Sequence, residues 1–164
     1  MEISTSSLSL FTVTLLVGLT AGICFTWGNA VTPGIGQLND LGYLQAFQKM
    51  NRSIENPLFF AVFFGSFLVG IAAIFTNKGI SPEHFRLILL AVSLYFLGVV
   101  IVTVFGNVPL NQILDKADLV NSSEEELRAL RERFENPWNR FHIIRIIASM
   151  TSFALLIIAG ISKS

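Results

Sequence analysis

The stretch 87-LILLAVSLYFLGVVIVTVFGNVPLNQIL-114 holds 28 residues without a charge. A helix needs about 20 apolar residues to cross the hydrocarbon core of a bilayer, and this stretch supplies them before its Gly106-Asn107 pair. Outward from it, charge is also missing between Glu2 and Asp40, between Glu55 and Lys78, and between Arg145 and Lys163. Backbone polar groups in lipid must bond within the protein, so four such stretches predict an all-α, four-helix transmembrane bundle. The spans fall at 8–31, 57–75, 87–105 and 138–161, in a single integral membrane domain over 1–164.

Composition agrees. Of 164 residues, 52% are apolar and 13% charged, where a soluble domain carries about 25% charged residues. Eleven basic residues balance eleven acidic ones, which leaves no positive excess for nucleic acid phosphates and excludes that partner. A lone cysteine, Cys24, excludes an intrachain disulfide, a cysteine-based zinc cage and a dithiol pair. His84 precedes the third span and His142 begins the fourth, so about 30 Å of bilayer separates them and a bis-histidine haem is excluded. The first span has no basic leader and is too long for a signal peptide, so it reads as a retained anchor. The expected setting is the cell membrane, multi-pass, in contact with lipid.

The connection between the second and third spans is short and contains Gly79 and Pro82. The other two, of about 25 and 32 residues, are too long for simple turns and lie on one side of the membrane. Both read as amphipathic interfacial helices. In the first, Asp40 caps a helix whose apolar residues Leu41, Leu44, Phe47, Met50 and Ile54 recur at near-helical spacing. In the second, Ser123 and Glu126 have the S-x-x-E spacing of a capping box. There Leu127, Leu130 and Phe134 form one face, while Glu125, Arg128, Glu132 and Arg133 form a solvated one.

Two short motifs recur. Glu55-Asn56-Pro57 opens the second span and Glu135-Asn136-Pro137 the fourth; Gly28-Asn29 closes the first and Gly106-Asn107 the third. Their placement suggests two parallel repeats, 8–75 and 87–161, related by an axis along the membrane normal. Locally, Asn-Pro starts helices and Gly-Asn with a following proline ends them.

The fourth span carries a polar stripe. Trp138, His142, Arg145, Ser149 and Ser152 are spaced 4, 3, 4 and 3 apart, which puts them on one helix face. Arg145 stands about 12 Å beyond Pro137 at the helical rise. Two readings are open: a guanidinium that snorkels or packs, or one that stabilises an anion inside a small cavity. His142 serves either as a structural residue or as a base, donor or ligand; a metal site joining it to Glu55 and Glu135 lacks a ligand motif. The phenylalanines of the second span, Phe59, Phe60, Phe63, Phe64 and Phe67, could wall an aromatic pocket, but read more readily as lipid-facing filler. Trp27, Tyr43 and Trp138 fit interfacial belts.

Gly106-Asn107-Val108-Pro109-Leu110-Asn111, Pro137-Trp138 with Arg140 and Arg145, Pro33-Gly34, and the Phe47, Asn51, Asn56-Pro57 series resemble the anthrone oxygenase-like family of small membrane proteins. The resemblance spans nearly the whole chain, and most bacterial members have no assigned function. Its fungal members look like cofactor-independent oxygenases that turn an anthrone into an anthraquinone. The resemblance implies O2-dependent oxidation of a small aromatic or quinol-like, hydrophobic substrate without metal or cofactor. It makes His142 the base and Arg145 and Arg140 the groups that stabilise the phenolate. Asn107 and Asn111 would orient the substrate, with Asn29 as their counterpart in the first span, and Trp138 would stack on its ring. Where the family's pattern has Trp-Asn, this chain has Phe141-His142. The competing reading is a non-catalytic membrane protein that binds a lipid, a hydrophobic metabolite or a partner subunit. A transporter is disfavoured, since four helices leave little room for alternating access.

Overall fold

The computed structural model describes residues 4–162; Glu2 and Lys163, which bound two of the charge-free stretches, lie outside them. The helices are α1 Thr5–Ile35, α2 Asp40–Ile54, α3 Pro57–Asn77, α4 Pro82–Asp115 and α5 Glu124–Ile161. Four of them, α1, α3, α4 and α5, are long and apolar enough to cross a membrane, with mean hydropathies of 2.1, 2.5, 2.8 and 2.1 over an 18-residue stretch of each. The protein is a four-helix transmembrane bundle. The 21 residues of α3 reach about 31 Å at the helical rise, close to the hydrocarbon thickness. The other three, of 31, 34 and 38 residues, overshoot it.

All three overshoot on the same side. At the opposite end, Ser9 Oγ and Thr76 Oγ1 lie 2.7 Å apart and Asn77 Nδ2 donates to the Ser6 carbonyl, tying the start of α1 to the end of α3. His84 sits at that end too, with Nε2 at 3.1 Å from Asn77 Oδ1. Around the bundle, α1 packs on α3 and α5, and α4 packs on α5 and α3. Val13, Val17, Phe63, Ile88, Tyr95 and Leu156 fill the axis. Ser152 Oγ donates to the Ala91 carbonyl at 2.8 Å and Tyr95 Oη to the Phe63 carbonyl at 2.9 Å, bonds that fix helix register where apolar contact alone discriminates little.

Small residues set the α4–α5 distance. A Cβ on Gly98 would collide with the Ala148 Cβ, which is fixed to its backbone, whereas one on Gly22 meets nothing. Gly98→Ala is therefore expected to lower stability by about 1–3 kcal/mol, the usual cost of overpacking. Gly22→Ala should leave it level or slightly raised, and thermal unfolding of the two variants in detergent compares them.

Above the membrane end of the bundle the overshooting segments and α2 form a second core. Tyr43, Leu44 and Phe47 of α2 pack with Leu114 of α4 and with Leu127, Phe134 and Trp138 of α5. Arg131 fastens this cap: it pairs with Glu135 at 2.7 Å and Asp40 at 3.1 Å, donates to the carbonyls of Gly36 and Leu38, and lies 4.4 Å over the Tyr43 ring. Burial, with the Glu135 charge nearby, pushes the Tyr43 phenol well above its ordinary value. Glu125, Arg128, Glu132 and Arg133 are exposed, the solvated face expected.

The structure corrects four local expectations. Asn39, not Asp40, caps α2, its side chain accepting from Gly42 N at 2.9 Å. Gly28-Asn29 and Gly106-Asn107 do not end their helices. The chain widens there into π turns, Trp27–Val31 and Thr103–Asn107, with Thr32 N–H bonding Trp27 O and Val108 N–H bonding Thr103 O. Each wide turn sits just ahead of a proline that cannot donate, Pro33 or Pro109, so the added residue accommodates the ring without stopping the helix. Asn56 does cap α3, accepting from Phe59 N, but Asn136-Pro137 lies inside α5. The capping box at Ser123 forms as read, and the helix it starts runs straight into the fourth span instead of lying apart at the interface. Leu127, Phe134, Trp138 and His142 are buried along one continuous row, and burying that row outweighs the bond lost at Pro137.

Candidate active site

The polar stripe of α5 divides in two. Ser149 and Ser152 turn to backbone carbonyls, of Arg145 and Ala91 respectively. Trp138, His142 and Arg145 form a connected set. The Trp138 and His142 rings stack at 4.7 Å with planes 24° apart. His142 Nε2 lies 3.0 Å from the Cys24 carbonyl oxygen; a carbonyl only accepts, so this nitrogen carries the hydrogen. Nδ1 is thereby left as an acceptor, and Arg145 Nη2 donates to it at 2.6 Å. Arg145 Nη1 donates to Thr103 Oγ1 at 3.2 Å, and the guanidinium carbon sits 5.3 Å from the Trp138 ring centroid.

The π turns make this arrangement reachable. Cys24 lies just before the first and Thr103 opens the second, so the two groups that hold the His142–Arg145 pair border the irregular parts of α1 and α4. Gly28 allows α1 to come this close: a Cβ there would run into Ile146 and stand 3.4 Å from the His142 ring. Wide turns of this kind recur at functional sites.

These side chains line a cavity of about 340 Å³. Phe59, Phe60, Phe63 and Phe64 of α3 form its aromatic wall, Cys24 and Trp27 of α1 and Thr103 and Val104 of α4 close other sides, and Asn51, Glu55 and Asn111 stand among its polar groups. The phenylalanines read as filler thus face a cavity; Phe67 instead stacks on Phe96. Ile23, Phe60, Phe64 and Val104 are also exposed on the outer surface of the bundle, where lipid would lie. A second, polar chamber of about 230 Å³ shares Asn51, Glu55, Val108 and Asn111 with the first and adds Arg52, Gln112 and Asp115.

Among the described residues Arg145 has no carboxylate partner. The ion pairs there join Arg52 to Asp115 and Arg131 to Asp40 and Glu135, and Arg145 Nε is buried without a hydrogen bond. An arginine in a membrane span ordinarily pairs with an acidic group or carbonyls; this one meets a neutral imidazole, a hydroxyl and an aromatic face, and borders an aromatic cavity. An anionic ligand group would complete it.

Of the residues singled out from sequence, Trp138, His142, Arg145 and Asn111 line the cavity. Asn111 Oδ1 accepts from Trp138 Nε1 at 2.8 Å. Asn107 is buried behind them, donating to the Trp138 carbonyl at 3.2 Å, and does not line the cavity. Arg140 and Asn29 are exposed and lie outside it. Glu135, suggested as a metal partner of His142 and Glu55, is engaged by Arg131, and among the described residues no three His, Cys, Asp or Glu side chains gather as a metal site.

A family model described as Anthrone oxygenase matches residues 58–155 of the chain. The protein belongs to the anthrone oxygenase family. Comparison with curated proteins and with solved structures gives no match. The family match covers α3, α4 and most of α5, and with them the phenylalanine wall, Thr103, Asn111, Trp138, His142 and Arg145. Cys24, Trp27, Asn51 and Glu55 complete the cavity from outside the matched segment. At the Phe141-His142 pair, the Phe141 ring packs on Gly106, within 2.7 Å of where a Cβ would stand, and His142 is buried.

Proposed function

We propose that this anthrone oxygenase family member oxidises a small, membrane-soluble aromatic molecule with dioxygen, holding an oxygen of that molecule as an anion on Arg145. The carrying observation is the buried guanidinium without a carboxylate partner on the wall of an aromatic cavity. In a site of low dielectric such a charge stabilises an enolate or phenolate far more than a water-exposed arginine would. A cavity of this size, apolar with a few converging polar groups, suits a small fused aromatic ring system.

The chemistry needs no oxidant other than O2. A ring methylene carbon, conjugated with an oxygen of the substrate, loses one proton to a base, and the electron pair spreads onto that oxygen, held by Arg145. The carbanion adds O2 through a new carbon–oxygen bond, and the resulting peroxide anion takes up a proton. The remaining hydrogen on that carbon then leaves as a proton while the oxygen–oxygen bond breaks, so water departs and a carbonyl stands where the methylene was. Within this scheme His142 is a positioning residue: its Nδ1 lone pair is engaged by Arg145 and its Nε2–H by Cys24. Trp138, expected to stack on the substrate, is covered on one side by His142 and acts as the floor under the pair. Asn111, bonded to Trp138, presents its amide to the cavity.

The engaged imidazole also favours a second reading, a protein that binds such a molecule without transforming it. Membranes containing the protein, supplied with a panel of anthrones and hydroquinones, separate the two. Catalysis predicts uptake of one O2 per anthrone consumed, with quinone appearing at the same rate. A binding protein predicts no uptake but a raised thermal midpoint; ligand at a hundred times its Kd stabilises by about 2.7 kcal/mol.

A further inference from the structure

The oxidation scheme requires a proton acceptor, and His142, the residue favoured by sequence, has both ring nitrogens engaged. We propose that Glu55 is the base. Resting on the oxidative reading above, the assignment supplies the group that reading leaves open.

Among the described residues Glu55 is the only acidic one lining the aromatic cavity, and it lines the polar chamber as well. It stands at the break between α2 and α3, where it ends α2 with φ −74° and ψ 64° and the chain then turns at Asn56 into α3. No ion pair or side-chain hydrogen bond of the described residues engages its carboxylate. The contrast with the second copy of the motif is direct. Glu135 of Glu135-Asn136-Pro137 lies inside a continuous helix and is held at 2.7 Å by Arg131, whereas Glu55 of Glu55-Asn56-Pro57 lies at a helix break, on the cavity, and unpaired. Arg52, the nearest cation along α2, is bound to Asp115 at 2.6 Å and so leaves Glu55 free.

The two chambers then divide the work. The substrate's ring lies against the phenylalanines with its oxygen toward Arg145. The C–H bond breaks, the proton passes to a Glu55 carboxylate oxygen, and the electron pair remains on the substrate as an enolate facing the guanidinium. After O2 adds, the same proton returns to the peroxide, water departs, and Glu55 is again a carboxylate. The polar chamber, lined by Asn51, Asn111 and Gln112, gives the water a way out that avoids the aromatic wall.

The test separates proton transfer from binding. Under anaerobic conditions in heavy water, exchange of the methylene hydrogens of dithranol, a hydroxyanthrone, is followed by NMR with the purified protein; binding of its quinone, danthron, is followed by quenching of tryptophan fluorescence. Glu55→Gln is expected to lower protein-catalysed exchange by about 100-fold or more, within the range that a general base contributes. Danthron binding should change by less than about threefold, because no ion pair of the described residues holds the Glu55 carboxylate and its one backbone bond, to the Asn51 carbonyl, is kept in the variant; the thermal midpoint of the variant checks that it folds. Exchange by Glu55→Gln at the wild-type rate would overturn the assignment, and so would a parallel loss of exchange and binding. Wild-type protein that binds danthron yet leaves dithranol exchange at its solvent rate would overturn Glu55 while sparing the anion site. A failure of wild-type protein to bind danthron would remove the Arg145 reading, and the base with it.

Discussion

Arg145→Met is expected to weaken binding of danthron by about 100- to 1000-fold and to abolish measurable oxygen uptake. Methionine fills a similar volume, so the cavity keeps its shape while the guanidinium charge on its wall disappears. Removing a donor that meets developing negative charge in a dry site costs about 2.7–4 kcal/mol, which is the source of the range. Arg145→Lys should recover only part of the loss. The guanidinium holds Thr103 and His142 with separate nitrogens, at 3.2 and 2.6 Å, a fork that one ammonium cannot reproduce. Titration of each variant by tryptophan quenching, beside oxygen uptake, measures the outcome. Equal affinity in all three proteins would rule out an anion site at Arg145.

The largest loss of stability is expected at Trp138. The side chain is 3% exposed and touches both halves of the molecule. Its ring contacts Phe47 at 4.8 Å, Phe134 at 6.5 Å and Trp27 at 6.2 Å, besides the stack on His142. Trp138→Ala opens a void where the cap meets the bundle, and losses of about 3–5 kcal/mol are usual for a buried tryptophan. Trp138→Phe keeps an aromatic ring but leaves Asn111 Oδ1 without the indole N–H, an expected cost of about 1 kcal/mol. Denaturant unfolding in detergent, read by helicity, ranks the two. If Trp138→Ala unfolds no earlier than Trp138→Phe, the residue is not the joint between cap and bundle.

The global fold was legible because absence of charge over four long stretches has few other causes. The grouping of Trp138, His142 and Arg145 at the candidate site was legible through their spacing on one helix face. What escaped has a common physical origin. Local signals at Gly28-Asn29, Gly106-Asn107 and Asn136-Pro137 are those of helix ends, yet tertiary packing carries all three helices onward, two by widening and one by losing a bond. Cys24 enters the site through its backbone carbonyl, which no side-chain pattern can announce. Phe59, Phe60, Phe63 and Phe64 could not be assigned because lipid and an aromatic cavity select the same residue types. Asn29 and Arg140 lie exposed and outside the cavity, because a motif match fixes position along the chain, not the direction in which a side chain points.

The exposed edge of the cavity changes how its kinetics must be measured. Ile23, Phe60, Phe64 and Val104 line the cavity and are also exposed, so an apolar substrate of the proposed reaction, dissolved in the bilayer, would meet the site without passing through water. The concentration that governs occupancy is then the mole fraction in the lipid, not the amount per volume of buffer. An apparent KM quoted in bulk units should rise in proportion as lipid or detergent is added at fixed substrate, while kcat stays constant. Expressed as mole fraction, the same data should collapse onto one curve.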